Sequence, residues 1–182
     1  SGTVRVEDGY DASRPIRVAR FTISDYHAKN RWLSVPEIIL HSSNIGAAKM
    51  AMDVGTNNQR NYLKRFGLLR PAELEVPEVG RPLFPRVWRP INTMTISYGH
   101  GISISPVQLA GAVAALVNGG LYKKPTLLKR LDGATPRGSR VITTETSDQI
   151  RDLMRLVVTN GTGRKANVRG YMVGGKTGTA EK

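Results

Sequence analysis

From Ile45 to Met52 the chain reads Ile-Gly-Ala-Ala-Lys-Met-Ala-Met, small and apolar on nearly every side. A helix of such residues has no broad polar face to give to water, so it suits a place inside a core rather than on a surface. The other segments then have to surround it. Just upstream, Ser34-Val35-Pro36-Glu37 places a serine at an N-cap and a glutamate three residues later, a capping box that predicts a short helix through Leu40. Ser42-Ser43-Asn44 falls in the break between that helix and the buried one. Thr56 to Gly67 predicts another helix, capped by Thr56, with Tyr62, Leu63 and Phe66 on one face and Gly67 as its stop. Ser105-Pro106-Val107-Gln108 combines a cap, a proline at the first helical position and a box glutamine, which launches Leu109 to Asn118 ahead of Gly119-Gly120. Ile150, Leu153, Met154, Val157 and Val158 recur at helical spacing, so Thr146 to Thr159 is an amphipathic helix that ends at Asn160-Gly161.

Strand signals are shorter. Thr3 to Val6 and Ile16 to Phe21 are β-like and interrupted by turns at Asp8-Gly9 and Arg14-Pro15, so residues 1 to 33 read as hairpin or loop. Pro71 to Pro90 is punctuated by prolines and reads as loop, Thr126 to Leu131 as a strand, and Tyr171-Met172-Val173 as a short strand near the end. Helices followed by a late strand, without βαβ alternation, predict an α+β (mixed α/β) architecture.

Composition removes several function classes. The 27 Lys and Arg against 14 Asp and Glu give a formal charge of +13, which favours an anionic partner, yet the basic residues are scattered and only 6% of the chain is aromatic. Neither a basic stripe nor stacking platforms are present, so no nucleic-acid partner is expected. Zero cysteines exclude disulfides, thiolate metal sites and cysteine nucleophiles, and His27, His41 and His100 lack ligand spacing. No metal and no cofactor are expected. The longest apolar run, Leu109 to Val117, is shorter than the ~18 residues that span a bilayer. No signal peptide opens the chain, so any export signal or anchor is expected upstream of Ser1.

Two polar sets carry chemistry. Near the end, Gly174-Gly175 precedes Lys176-Thr177-Gly178-Thr179-Ala180, and far upstream stands Ser42-Ser43-Asn44. Acyl transfer from a serine needs a base near the hydroxyl, a cation or donor set for the substrate's carboxylate, and amides aimed at the developing oxyanion. Lysine, hydroxyls and glycine supply these when crowded together. On a strand, Lys176 and Gly178 would share one face, with the glycine admitting a ligand backbone closely. Each set also has a plainer reading: Lys-Thr-Gly as a strand-end turn, Ser-Ser-Asn as a helix N-cap. A sharper competitor is the phosphate-loop pattern, which Gly170 to Thr177 matches letter for letter. It requires a strand before the first glycine and a helix starting at the lysine. Tyr171-Met172-Val173 is strand-like where the loop would be, and Gly178 stands where the helix would begin.

Together these marks resemble the transpeptidase domain of class B, division-type penicillin-binding proteins. They are His41-Ser42-Ser43-Asn44-Ile45-Gly46 with Lys49-Met50-Ala51, Arg65-Phe66-Gly67-Leu68, Ser97-Tyr98-Gly99-His100-Gly101, Ser105-Pro106-Val107-Gln108-Leu109-Ala110, Asn118-Gly119-Gly120, Gly161-Thr162-Gly163 and Gly175 to Ala180. The order of the marks, with 134 positions between Ser42 and Lys176, gives the resemblance its specificity over essentially the whole chain. It implies the penicillin-binding protein and serine β-lactamase-like fold, a helical subdomain plus part of an antiparallel sheet. It also implies a D,D-transpeptidase that cross-links peptidoglycan stem peptides during cell-wall synthesis and division. By the same resemblance Ser42 is a proton-relay serine, and Asn44 the amide that holds the nucleophile's lysine and the substrate. Lys176 is the strand lysine that draws the substrate carboxylate, Thr177 and Thr179 hold that carboxylate around Gly178, and the Thr179 amide is an oxyanion donor.

The family's third set, Ser-x-x-Lys, is absent: none of the serines has a lysine three places on. Residues 1 to 182 are therefore expected to be a partial transpeptidase domain, lacking the nucleophile segment and the strands after the lysine, and inactive alone. Stem peptides, β-lactams and other division proteins of the membrane are the partners that the resemblance implies, and the periplasmic side of a bacterial inner membrane the location. The alternative is a non-catalytic sensor or scaffold of the same fold. A hydrolytic β-lactamase would need a base to activate water, and no residue stands out for that role.

Overall fold

A computed structural model describes residues 2–129 and 137–178. Two compact units divide the chain: Ser1–Gln59, Val87–Gly101 and Asp152–Lys182 form the first, Arg60–Arg86 and Ile102–Arg151 the second.

In the first unit, β1 (Gly9–Asp11) pairs antiparallel with β4 (Trp32–Ser34), and β2 (Ile16–Val18) with β3 (Phe21–Ile23). The β-like run from Ile16 to Phe21 is thus a hairpin, turned at Ala19 with a φ of 51°. Thr3 to Val6 is not a strand. Asp8 closes a local turn there, accepting from Arg5 N at 2.7 Å while its own N donates to Arg5 O at 3.2 Å. The predicted capping box starts α1 (Val35–His41): Ser34 Oγ accepts from Glu37 N at 3.4 Å, and Glu37 Oε2 accepts from Ser34 N at 3.0 Å. The apolar helix follows as α2 (Asn44–Val54). Ile45 and Ala48 are buried with Leu33, Ile38 and Ala12, and Ile38, Ile45, Leu33 and Ala12 form the core of this unit. The burial is incomplete, because Met52 remains 37% exposed on the rim of an open cleft shared with Tyr10, Ile16, Lys49, Asp53 and Met94.

Next comes α3 (Thr56–Arg65). Thr56 lies inside this helix rather than capping it, and its hydroxyl meets Thr93 Oγ1 at 2.8 Å. Thr93 belongs to α4 (Pro90–Ile96), a short helix that the sequence signals did not mark, on which α2 packs extensively. Its N-cap residue is Arg89, which has no oxygen to cap with; Asn92 Oδ1 accepts from Arg89 N at 2.9 Å instead.

The second unit holds α5 (Pro106–Val117), capped as expected by Ser105 and Gln108. Gln108 is buried, and its amide donates to the carbonyls of Gly67 at 3.2 Å and Arg70 at 2.7 Å. Beyond Gly119-Gly120, β5 (Leu121–Tyr122) pairs with β6 (Ser139–Arg140), and Ala115, Tyr122 and Val141 form the core with Tyr62, Phe66 and Ile142 against them. Residues 71 to 89 are loop apart from one bridge between Leu83 and Ser103. Thr126 to Lys129 is not the predicted strand: Leu127 N donates to Glu75 Oε2 at 2.9 Å, so a carboxylate takes the amide that a ladder would use. Leu131, the end of that prediction, lies outside the described residues.

The last helix, α6 (Thr144–Asn160), runs slightly longer than predicted, and Val157 and Val158 on it are buried. Tyr171-Met172-Val173 is not a strand, and the described part of the lysine motif has no ladder partner. Its backbone is held by α6 instead. Gly175 N donates to Met154 O at 3.1 Å, and Arg155 Nη1 donates to Val173 O at 2.9 Å. The fold is mixed α/β, with its described strands in three separate two-stranded antiparallel pieces. No helix among the described residues is long and apolar enough to cross a membrane.

Candidate active site

Between α1 and α2 the chain has to turn sharply, and Ser42 makes the turn in the left-handed conformation, φ 55° and ψ 47°. A side chain with a Cβ pays roughly 1 kcal/mol there, so this is a strained position at the centre of a polar motif. Ser43 does the capping: its Oγ accepts from Gly46 N at 3.0 Å. Ser42 is thereby left with its hydroxyl uncommitted to the helix.

Lys176 reaches it. The Lys176 ammonium donates to Ser42 Oγ and, at 2.9 Å, to Thr177 O. The residue as a whole is exposed, but partial burial of its end pushes the ammonium pKa below the ordinary lysine value. His41, next to Ser42 in sequence, is also lowered, by burial first and then by the charge of Lys29, which keeps the imidazole neutral near pH 7. A partly desolvated cation against a serine oxygen has two consequences. Its field on an anionic ligand is stronger than it would be in open water. It also occupies a lone pair of Ser42, so the serine's own proton points elsewhere, which is what a relay requires.

The remaining sequence candidates divide. Thr177 Oγ1 meets Thr162 Oγ1 at 2.7 Å. Gly178 is exposed, and Thr179 lies outside the described residues. Asn44 directs its amide to Ser24 O at 2.9 Å. No helix begins at Lys176 among the described residues, so the phosphate-loop pattern lacks the element it needs.

Two contributors had no mark in the sequence. Asp25 ties its segment to the start of α2, accepting from Ser43 Oγ at 2.7 Å and from Ile45 N at 2.9 Å. Arg155 holds the lysine segment by Val173 O and also donates to Asn167 Oδ1 at 3.0 Å. Both act over distances in sequence that no local pattern reports.

Residues 2–182 match the family model described as the penicillin binding protein transpeptidase domain. A probable peptidoglycan D,D-transpeptidase FtsI of Caulobacter vibrioides is 42% identical over 185 residues, an alignment that covers 100% of this chain and 31% of that protein. Stage V sporulation protein D of Bacillus subtilis is 38% identical over 159 residues, covering 80% of this chain and 24% of that protein. Among solved structures, the apo TP domain of Burkholderia pseudomallei penicillin-binding protein 3 superposes with a TM-score of 0.90 at 33% identity, over 98% of this chain and 55% of that one. The chain spans about a third of the length of the Caulobacter relative.

Proposed function

Because this chain belongs to the penicillin-binding protein transpeptidase domain family, we propose that the intact protein is a serine D,D-transpeptidase that cross-links peptidoglycan stem peptides and is acylated by β-lactams. The observation that carries this reading is the Lys176 ammonium on the Ser42 hydroxyl, an encounter between the two polar motifs across 134 residues. Neither reading of these motifs as an isolated cap or turn requires them to meet.

In this scheme the nucleophile is a serine outside the present chain, since no Ser-x-x-Lys occurs here. Its oxygen forms an ester bond with the D-alanyl carbonyl while the peptide C–N bond breaks. The departing amine takes a proton that passes through Ser42. An amine of a second stem peptide then attacks the ester, forms the cross-link and returns the serine. Lys176 supplies positive potential for the donor's terminal carboxylate. Thr177 and Thr179 donate to that carboxylate around Gly178, the Thr179 amide serves the oxyanion, and Asn44 supports the nucleophile's lysine and the substrate. Work at the outer face of a bacterial inner membrane, with division proteins as partners, belongs to the same proposal.

The test is labelling of the full-length protein with a fluorescent penicillin. One covalent label per molecule, on a serine followed three places later by lysine, is the expected result. Absence of label together with measurable binding of a stem peptide would establish the non-catalytic sensor in its place. Label on Ser42 would overturn its assignment as a relay.

A further inference from the structure

The turn Gly161-Thr162-Gly163 at the end of α6 has no role in the scheme above, although its geometry is tightly determined. Gly161 N and Gly163 N both donate to Val157 O, at 3.0 and 3.1 Å, which pins the two residues on either side of Thr162. A Cβ on Gly161 would stand 2.7 Å from Leu40 Cδ1 and 2.8 Å from Leu40 O, so the turn is pressed against the last turn of α1 just before Ser42. From that base Thr162 Oγ1 reaches Thr177 Oγ1 at 2.7 Å. The lysine segment is fastened to α6 at Val173 and Gly175 and to this turn at Thr177. One turn therefore touches both backbone segments that carry the Lys176–Ser42 contact.

We propose that Thr162 is a positioning residue for recognition of the substrate carboxylate: it donates its hydroxyl proton to Thr177 Oγ1, so that Thr177 keeps its own proton for the carboxylate. This rests on the acyl-transfer reading. The direction follows from proton counting. A hydroxyl has one proton and two lone pairs, while a carboxylate only accepts. Were Thr177 to donate to Thr162, nothing would remain for the carboxylate. The order Thr162 to Thr177 to carboxylate satisfies all three groups, and each bond in such a chain polarises the next. The pair also fixes the rotamer of Thr177 before a ligand arrives.

The experiment measures acylation of the full-length protein by benzylpenicillin and by its methyl ester, which lacks the carboxylate charge. Thr162→Val keeps the shape and removes the hydroxyl; Thr162→Ser keeps the hydroxyl. Thr162 is solvent-exposed, so neither change disturbs a core. Thr162→Val is expected to lower the second-order acylation constant for benzylpenicillin about fivefold, the order of one net hydrogen bond, with Thr162→Ser restoring it. The ester is expected to acylate both forms alike, and Thr162→Val is expected to have no further effect once Thr177 is valine. Equal slowing of acid and ester, no slowing at all, or failure of serine to rescue would overturn the inference while the acyl-transfer reading stands. An unsubstituted protein that benzylpenicillin does not acylate would overturn that reading, and this inference with it.

Discussion

Substituting Asp25 by alanine removes both bonds that its carboxylate accepts from the start of α2 and leaves the Asn44 amide on Ser24 O. Oδ2 accepts from Ser43 Oγ at 2.7 Å and Oδ1 from Ile45 N at 2.9 Å. Asp25 is half-buried and Ser43 almost fully buried, so each bond is worth less than the full value of a charged hydrogen bond and about 1 kcal/mol is appropriate. A carboxylate at a helix N-terminus adds roughly 0.5 kcal/mol through the helix dipole. Ser43 keeps its bond from Gly46 N, which limits the loss. The sum is about 2 kcal/mol, or about thirtyfold in a local opening equilibrium. Native-state hydrogen exchange reads that quantity directly, because the amides of Ile45 and Gly46 exchange only when this end of the helix opens. Asp25→Ala should speed their exchange about thirtyfold and leave the amides of α5 unchanged. Asp25→Asn, which still offers one acceptor oxygen, should fall between. Acylation of the full-length protein should slow as well, since Ser42 and Asn44 flank the loosened turn. Exchange at Ile45 within about twofold of the parent would refute the reasoning, by showing that the carboxylate contributes less than one ordinary hydrogen bond.

Lys176→Ala should slow acylation by about 2.7–4 kcal/mol, the cost of removing one preorganised donor, while disturbing the melting temperature far less; a melting shift with equal rates would make the lysine structural. Burial lowers the Lys176 pKa from 10.5, so carboxylate-dependent acylation should decline as the pH rises through a value below 10.5, and Lys176→Ala should lack that decline. Over the same window the folded protein binds fewer protons than the unfolded chain, so the Lys176 contribution to stability grows with rising pH. Glu37 is held at about 2, chiefly by the Arg31 guanidinium and then by the Ser34 amide, against an ordinary 4.5. Its stabilising contribution is complete above 4.5 and lost as the pH falls through about 2, so Glu37→Gln should remove that part of the acid transition in a circular-dichroism titration. Gly120→Ala would place a Cβ 2.1 Å from Ile142 O at a φ of +91°, and a loss of about 3 kcal/mol is expected. An unchanged urea midpoint would show that the Gly120 turn relaxes freely.

The helices were legible where their signals are local. Ser34 with Glu37, and Ser105 with Gln108, satisfy their own helix ends within four residues, so sequence alone located those starts. Strands need a partner that local sequence does not supply. Tyr171 to Val173 has β-prone residues, but Arg155 and the Met154 carbonyl hold the backbone of this segment. Thr126 to Lys129 has them too, and Glu75 intercepts the amide of Leu127. Met52 stays partly exposed for a related reason: an apolar side chain is buried only where another element covers it, and α2 has an open cleft at that position.

The site was legible as chemistry but not as geometry. Ser-Ser-Asn announces a cap, and either serine could provide it by composition. The backbone decides between them. Ser43 takes the extended conformation of an N-cap and binds Gly46 N, whereas Ser42 takes the left-handed one and leaves the helix. A capping serine typically contributes about 1 kcal/mol, and a residue with a Cβ in the left-handed region costs about as much. The two terms offset each other, so stability alone gives little reason for the pair. The adjacent serines divide the work: one fixes the start of α2, and the strain in the other turns a hydroxyl away from the helix and onto Lys176.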